Sequence, residues 1–182
     1  MAGITNTAYR RLCREYGGGL FVSEMVTSRA LVERTPESMR LIGHHESEDI
    51  RSVQLYGVDP KTIANAVTML VAEDRADHID LNFGCPAPTV NKSKGGAVLL
   101  KEPDTIYRIV KAVREAVPAH LPVSAKIRLG YDDKDLYLEN AQAVYHAGAN
   151  ELAVHARTKR EGYKAPAHWE YVDAIRRSLP IP

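Results

Sequence analysis

Cys85 lies in the run Asp80-Leu81-Asn82-Phe83-Gly84-Cys85-Pro86, just past an apolar stretch and on a loop shaped by Gly84, Pro86 and Pro88. A thiol at a strand end can act as a nucleophile or a proton donor. It can equally be a small buried hydrophobe. Lys126 interrupts the apolar strand Val123-Ser124-Ala125-Lys126-Ile127. A buried ammonium needs an anionic partner, here Asp80, Glu24 or a ligand. Arg128 shares its parity and stands nearer the strand end. Gln54 is an inward amide that serves either a ligand edge or a neighbour. His155 ends the strand Glu151–His155 and leads to Arg157; such a histidine is either a hydrogen-bonded structural residue or a working one. Two basic loops follow strands: Asn91-Lys92-Ser93-Lys94-Gly95-Gly96-Ala97, and Arg157-Thr158-Lys159-Arg160-Glu161-Gly162-Tyr163-Lys164. The first lacks the GxxxxGK[ST] phosphate loop. Either alone reads as a solvated loop; together on one face they point to a polyanionic substrate. His44-His45-Glu46 and Glu48-Asp49 carry no metal-ligand spacing, so no metal site is expected. Cys13, beside Leu12 within a helix, reads as core.

These groups need a scaffold, and the sequence alternates strands with amphipathic helices. Strands are expected at Leu20–Val26, Arg51–Tyr56, His78–Asn82, Pro122–Leu129 and Glu151–His155. Their starts recur at the length of a βα unit, ~30 residues or more. A first helix opens at Thr5 or Asn6 and runs through Tyr16, where Gly17–Gly19 follow. Asp59 caps a helix with Pro60 at its first position, running to about Glu73. Glu102-Pro103-Asp104 opens another through about Val117, with Ile106, Ile109, Val110 and Val113 on one face. Helices over 133–147 and 169–179 complete the set. This alternation means a parallel sheet, either open and doubly wound or closed as a (β/α)₈ barrel. One parity turns polar toward the strand ends: Ser52, Gln54 and Tyr56; Asp80 and Asn82; Ser124, Lys126 and Arg128; His155 and Arg157; and Glu24. Side chains of one parity point into a barrel, at its catalytic mouth, which favours the barrel.

Composition agrees with one globular α/β domain: 45% hydrophobic, 26% charged, 24 Lys plus Arg against 23 Asp plus Glu. No apolar run approaches the ~20 residues that span a bilayer, and the N-terminus has no signal pattern. Two cysteines make no disulfide framework, so a cytoplasmic setting is the expectation. A typical barrel needs about 250 residues. The chain is therefore expected to be an incomplete (β/α)₈ TIM barrel, roughly strands 2 to 6 with a remnant of strand 1, cut at both ends; a further strand would begin at Pro180-Ile181-Pro182.

Met1-Ala2-Gly3-Ile4-Thr5, Ser23-Glu24-Met25, Val53-Gln54-Leu55, Asn82-Phe83-Gly84-Cys85-Pro86, Gly95-Gly96-Ala97, Lys126-Ile127-Arg128-Leu129-Gly130 and Val154-His155-Ala156-Arg157-Thr158 follow in order. In this combination the chain resembles the tRNA-dihydrouridine synthases over essentially its whole length. The resemblance implies an FMN-bearing barrel followed by a small helical tRNA-gripping domain, absent here, so that residues 1–182 would be a partial catalytic domain. It implies NADPH as reductant, hydride transfer to C6 of a D-loop uracil, and Cys85 as the proton donor to C5. An ordinary thiol is mostly protonated at neutral pH, as a general acid requires. Lys126 would stand by the flavin's pyrimidine edge and Gln54 would hydrogen-bond it. Met1 and Ala2 would pack beside the ring, and His155 would contact the flavin or its phosphate side. Asn82 and Arg128 would face the uridine, while Lys92, Lys94, Arg157 and Lys159 would meet tRNA phosphates. The expected protein is a monomer without metal. The family's later strands, which cradle the FMN phosphate, are missing, so the 182-residue chain alone is expected to bind FMN poorly and to expose sheet edges. Other readings are an FMN-barrel pyrimidine oxidoreductase of the dihydroorotate or dihydropyrimidine dehydrogenase type, or a non-catalytic RNA-binding fragment.

Overall fold

The computed structural model describes residues 2–182. Five parallel strands form one sheet in chain order: β1 (Val22–Thr27), β2 (Ser52–Tyr56), β3 (His78–Asn82), β4 (Val123–Arg128) and β5 (Glu151–His155). The helices are α1 (Thr7–Glu15), α2 (Ser28–Val32), α3 (Pro36–Leu41), α4 (Pro60–Ala72), α5 (Pro88–Lys92), α6 (Pro103–Ala116), α7 (Tyr137–His146) and α8 (Trp169–Ser178), with a 3₁₀ turn at Gly96–Lys101. All five expected strands are present. Neighbours in space are neighbours in sequence, which is the order of a partial (β/α)₈ barrel. At the β5 edge Leu152 donates its N–H to the Pro182 carbonyl at 3.0 Å, so the last residues run alongside β5.

One face of the sheet is apolar and covered. Val53, Leu55, Ile79, Leu81, Ala125 and Ile127 are fully buried there. They pack with Ile63, Val67 and Leu70 of α4, Ile106, Ile109 and Val110 of α6, and Val144 of α7 in one core. Burying each such Leu or Ile contributes about 1.5–3 kcal/mol, and this face fixes the register by which polar side chains reach the other. Pairing sets those in rows. Gln54, Asp80, Ser124 and Glu151 are register neighbours; Asn82, Lys126 and Ala153 form the next row; Arg128 pairs with His155.

The helix starts follow the expected chemistry at two places. Asn6 Oδ1 accepts the Tyr9 N–H, and Asp59 accepts the Thr62 N–H ahead of Pro60. Elsewhere the structure differs from expectation. Residues 133–136 are a turn in which Asp133 accepts the Asp135 N–H, so α7 begins only at Tyr137. The stretch 91–97 is not a free loop: it joins the end of α5 to the 3₁₀ turn. The short helices α2, α3 and α5 lie in strand-to-helix connections, where too few residues repeat for a 3.6 periodicity to show. A register shift between Val22 and Met25 pairs Met25 with Gln54 and Thr27 with Tyr56, which displaces Glu24 from the inward series. Glu24 instead accepts the Gly3 N–H. Cys13 is not core: it is half-buried and faces a cavity, and its neighbour Leu12 is 51% exposed. The buried residue of α1 is Arg10, clasped by Glu48, so polar rather than apolar contacts hold this helix.

Candidate active site

The site is built at the C-terminal end of the sheet, around Asn82. Its Oδ1 accepts the Gly84 N–H at 3.1 Å and the Cys85 N–H at 2.9 Å, turning the chain sharply after β3. Its Nδ2 donates to Gln54 Oε1 at 3.0 Å. Gln54 Nε2 in turn donates to Asp80, whose other oxygen accepts from Ser124. Both groups of the Gln54 amide are therefore engaged by protein, and a ligand would reach them only by taking over one of these bonds.

Half-buried Cys85 is held from a second side. Its carbonyl accepts from Asn91 Nδ2 at 2.8 Å and from the Ala97 N–H at 3.0 Å. Gly96 adopts φ +62, and a Cβ there would stand 2.7 Å from the Cys85 carbonyl oxygen and 3.1 Å from its Cβ. Only glycine lets the 3₁₀ turn close on the cysteine this tightly. Tyr56 stands nearby, and burial, then the Cys85 charge, pushes its phenol upward.

Lys126 points to the same face and makes neither a hydrogen bond nor an ion pair among the described residues. The salt bridges to Asp80 or Glu24 do not form, because Asp80 is occupied by Gln54 and Ser124 and Glu24 by Gly3. Burial lowers the Lys126 pKa, Asp80 opposes this, and Arg128 adds to it. With Gln54, Asp80, Ser124 and Ala153, Lys126 lines a cavity of ≈ 300 Å³. An unpartnered ammonium on a half-enclosed wall suits an anionic or carbonyl-rich planar group.

Arg128, 3% exposed, ties two loops together: Nε donates to the Gly84 carbonyl at 2.9 Å and Nη1 to the Thr158 carbonyl at 3.4 Å. His155 lies beside Arg157, whose Nη1 is 3.3 Å away, and the Tyr163 ring is 5.5 Å from the imidazole. Burial first, then Arg128, Lys126 and Arg157, lowers the His155 pKa to about 4. Tyr163, 71% exposed, also lies 5.7 Å from the Arg128 guanidinium and 6.0 Å from that of Arg157. Glu161 organises this loop by accepting from the Thr158 N–H at 2.7 Å, His168 at 2.8 Å and Lys134 at 3.3 Å. Burial pulls its carboxyl upward, but these bonds outweigh it and leave the pKa at about 2.

The structure thus gathers Gln54, Asn82, Cys85, Lys126, Arg128, His155 and Arg157 at one end of the sheet. Lys92 and Lys94 are exposed beside the Cys85 loop, and Lys159 packs its ammonium 4.6 Å from the Tyr131 ring. Ala2 is exposed in a turn, and Met1 lies outside the described residues. Asn91, Tyr163 and Glu161 were not singled out by the sequence, since their roles depend on contacts between loop segments. No cluster of three His, Cys, Asp or Glu side chains that could hold a metal occurs among the described residues. No helix among them is long and apolar enough to cross a membrane.

Comparison with known proteins gives a consistent picture. The family model for dihydrouridine synthase (Dus) matches residues 1–182. The tRNA-dihydrouridine(16) synthase of Shewanella oneidensis is 50% identical over 161 residues, covering 88% of this chain and 50% of that protein. That of Neisseria meningitidis serogroup A is 57% identical over 131 residues, covering 72% and 39%. A probable tRNA-dihydrouridine synthase of Mycobacterium tuberculosis is 42% identical over 193 residues, covering 100% and 50%. The chain spans about half the length of these relatives or less. With the Asn82-anchored cysteine loop and the inward Lys126 on one sheet, the match over the full chain makes it a member of the dihydrouridine synthase family.

Proposed function

We propose that this chain carries the proton-donor and ring-edge part of a site that reduces the 5,6 double bond of a uracil in tRNA. The observation that supports this most directly is that Cys85 is held in a fixed position by Asn82, whose register partner is the unpartnered Lys126. Bound FMN, reduced by NADPH, would supply the hydride to uracil C6. Cys85 gives its proton to C5, so that hydride and proton together saturate the bond, and the thiol is restored from solvent. Asn82, by accepting two successive N–H groups, fixes the direction from which that proton arrives. Lys126 would supply positive charge to the ring edge of a bound flavin, and Gln54 and His155 would hold the same side. Arg128 joins the cysteine loop to the Tyr163 loop, so that both walls around the base keep their spacing. Lys92, Lys94, Arg157 and Lys159 provide phosphate contacts for tRNA. Two relatives are named for position 16 of tRNA, which supports uridine 16 as the target.

The test is Cys85→Ala in the FMN-loaded protein. Dihydrouridine formation, followed by mass spectrometry of tRNA, should fall about 10²-fold or more, while the flavin spectrum and NADPH oxidation in the absence of tRNA remain. Undiminished dihydrouridine formation would remove Cys85 from the role of acid. Turnover of free dihydropyrimidines in preference to tRNA would favour the small-molecule oxidoreductase.

A further inference from the structure

Beside the cysteine loop lies a second cleft, of ≈ 360 Å³, that none of the roles above uses. It opens at the same end of the sheet. Thr27 and Tyr56, register partners at the ends of β1 and β2, form its floor, and Gly95 forms the wall toward Cys85. A Cβ on Gly95 would stand 3.7 Å from the Tyr56 ring, so the two are in contact across that wall.

The cleft holds hydroxyl groups without partners. Ser28 is 2% exposed, yet its Oγ makes no hydrogen bond among the described residues. The same holds for the hydroxyls of Thr27 and Tyr56. Gly57 makes room for Ser28: a Cβ at residue 57 would collide with its Oγ. Of the three, only Ser28 is buried, while Thr27 and Tyr56 are half-buried along the cleft; the unpaired Ser28 hydroxyl favours a polar occupant. Arg29 stands at the rim. Its Nε is paired with Glu33 at 2.9 Å, and both terminal nitrogens have no partner among the described residues. The acid on the wall, Asp59, is occupied by the Thr62 N–H at 2.8 Å and the Thr62 hydroxyl at 2.6 Å. The cleft is thus lined by hydroxyl groups, with the solvent-exposed Arg29 at its rim, while its carboxylate is turned to capping α4. An aromatic ring, a row of hydroxyls and an arginine at the rim suit the sugar and phosphate of a nucleotide.

We propose that this cleft seats the ribose phosphate of an RNA nucleotide adjacent to the uridine that is reduced. The proposal rests on the function given above, which puts that uridine at Cys85; the shared Gly95 wall then puts its neighbour here. Holding the flanking nucleotide keeps the target base out of its stack.

The test combines Ser28→Ala with Tyr56→Phe in the FMN-loaded protein, with Ser28→Ala alone as a second variant. Both delete hydroxyls that bond to nothing in the fold, so melting temperatures should match wild type. Filter binding of unmodified tRNA should weaken about tenfold in the double variant, close to 1.4 kcal/mol, and the KM for tRNA should rise in step. The KM for NADPH should hold. Equal tRNA affinity in wild type and the double variant would overturn the proposal, as would a rise in the NADPH KM with tRNA binding intact. If wild type forms no dihydrouridine, the functional reading fails by itself, and the binding comparison still decides the cleft.

Discussion

At His155 the imidazole is surrounded by cations rather than by acids. Burial is the larger cause and Arg128, Lys126 and Arg157 follow, which brings its pKa from 6.5 to about 4. The unfolded chain therefore takes up this proton first as pH falls. The group costs stability progressively between pH 6.5 and 4 and is neutral to stability above that window. Glu161 behaves differently. Its carboxylate, at about 2 against 4.5, contributes stability above pH 4.5 that is lost as pH falls toward 2. The two windows separate the residues experimentally. NMR titration should place the His155 midpoint near pH 4, and His155→Gln should lessen the upper acid limb of an unfolding profile, to which His44 and His78, lowered by burial as well, also contribute, while leaving the lower one. A midpoint near 6.5 would mean that the neighbouring charges do not reach the ring.

Among the elements, α1 shows how a polar contact replaces an apolar one. Arg10 Nε and Nη2 grip Glu48 at 2.7 and 3.1 Å, and further donations reach the Thr5 carbonyl at 2.8 Å and the Gly43 carbonyl at 2.7 Å. Glu48 also accepts the His45 N–H at 2.8 Å. Both side chains are 2% exposed. Removing one partner strands the other charge away from water, so Glu48→Ala should cost about 3–5 kcal/mol in urea unfolding. A loss below about 1 kcal/mol would place the pair among solvent-screened surface bridges instead. Arg10 also explains a gap in what the sequence reveals. The strands and the long helices α4 and α6 are legible because apolar residues recur over several turns. Helix α1 has the same outward signs but lacks a buried apolar stripe, so Cys13, read as core from its place in a helix beside Leu12, is not core. Within the site, the inward positions of Asn82 and Lys126 are legible from strand parity and residue type, whereas Cys85 is found by its place on the loop after β3. Asn91 reaches Cys85 only because α5 and the Gly96 turn fold back, and nothing in the spacing announces that.

Across the whole molecule the formal net charge is +1, so attraction for a polyanion must come from how charges are distributed. Asp77 and Asp74 pair with Arg51, and Asp132 with Lys101, which removes many acids from play. Around the sheet's C-terminal end, exposed Lys92 and Lys94 lack such partners among the described residues, and Lys159 rests on the Tyr131 ring rather than on a carboxylate. A local basic rim on a near-neutral body binds nucleic acid through counterion release, and its strength depends on salt concentration. Changing these three lysines to alanine should reduce the slope of log affinity for tRNA against log salt by about 2–3. The effect should be nearly the same for any tRNA sequence, since phosphate contacts position without reading bases. A slope that is unchanged in the triple variant would move the RNA path off this rim. It would also weaken the case for a nucleotide seat at Ser28 and Tyr56, because the strand could not then pass from the rim into that cleft.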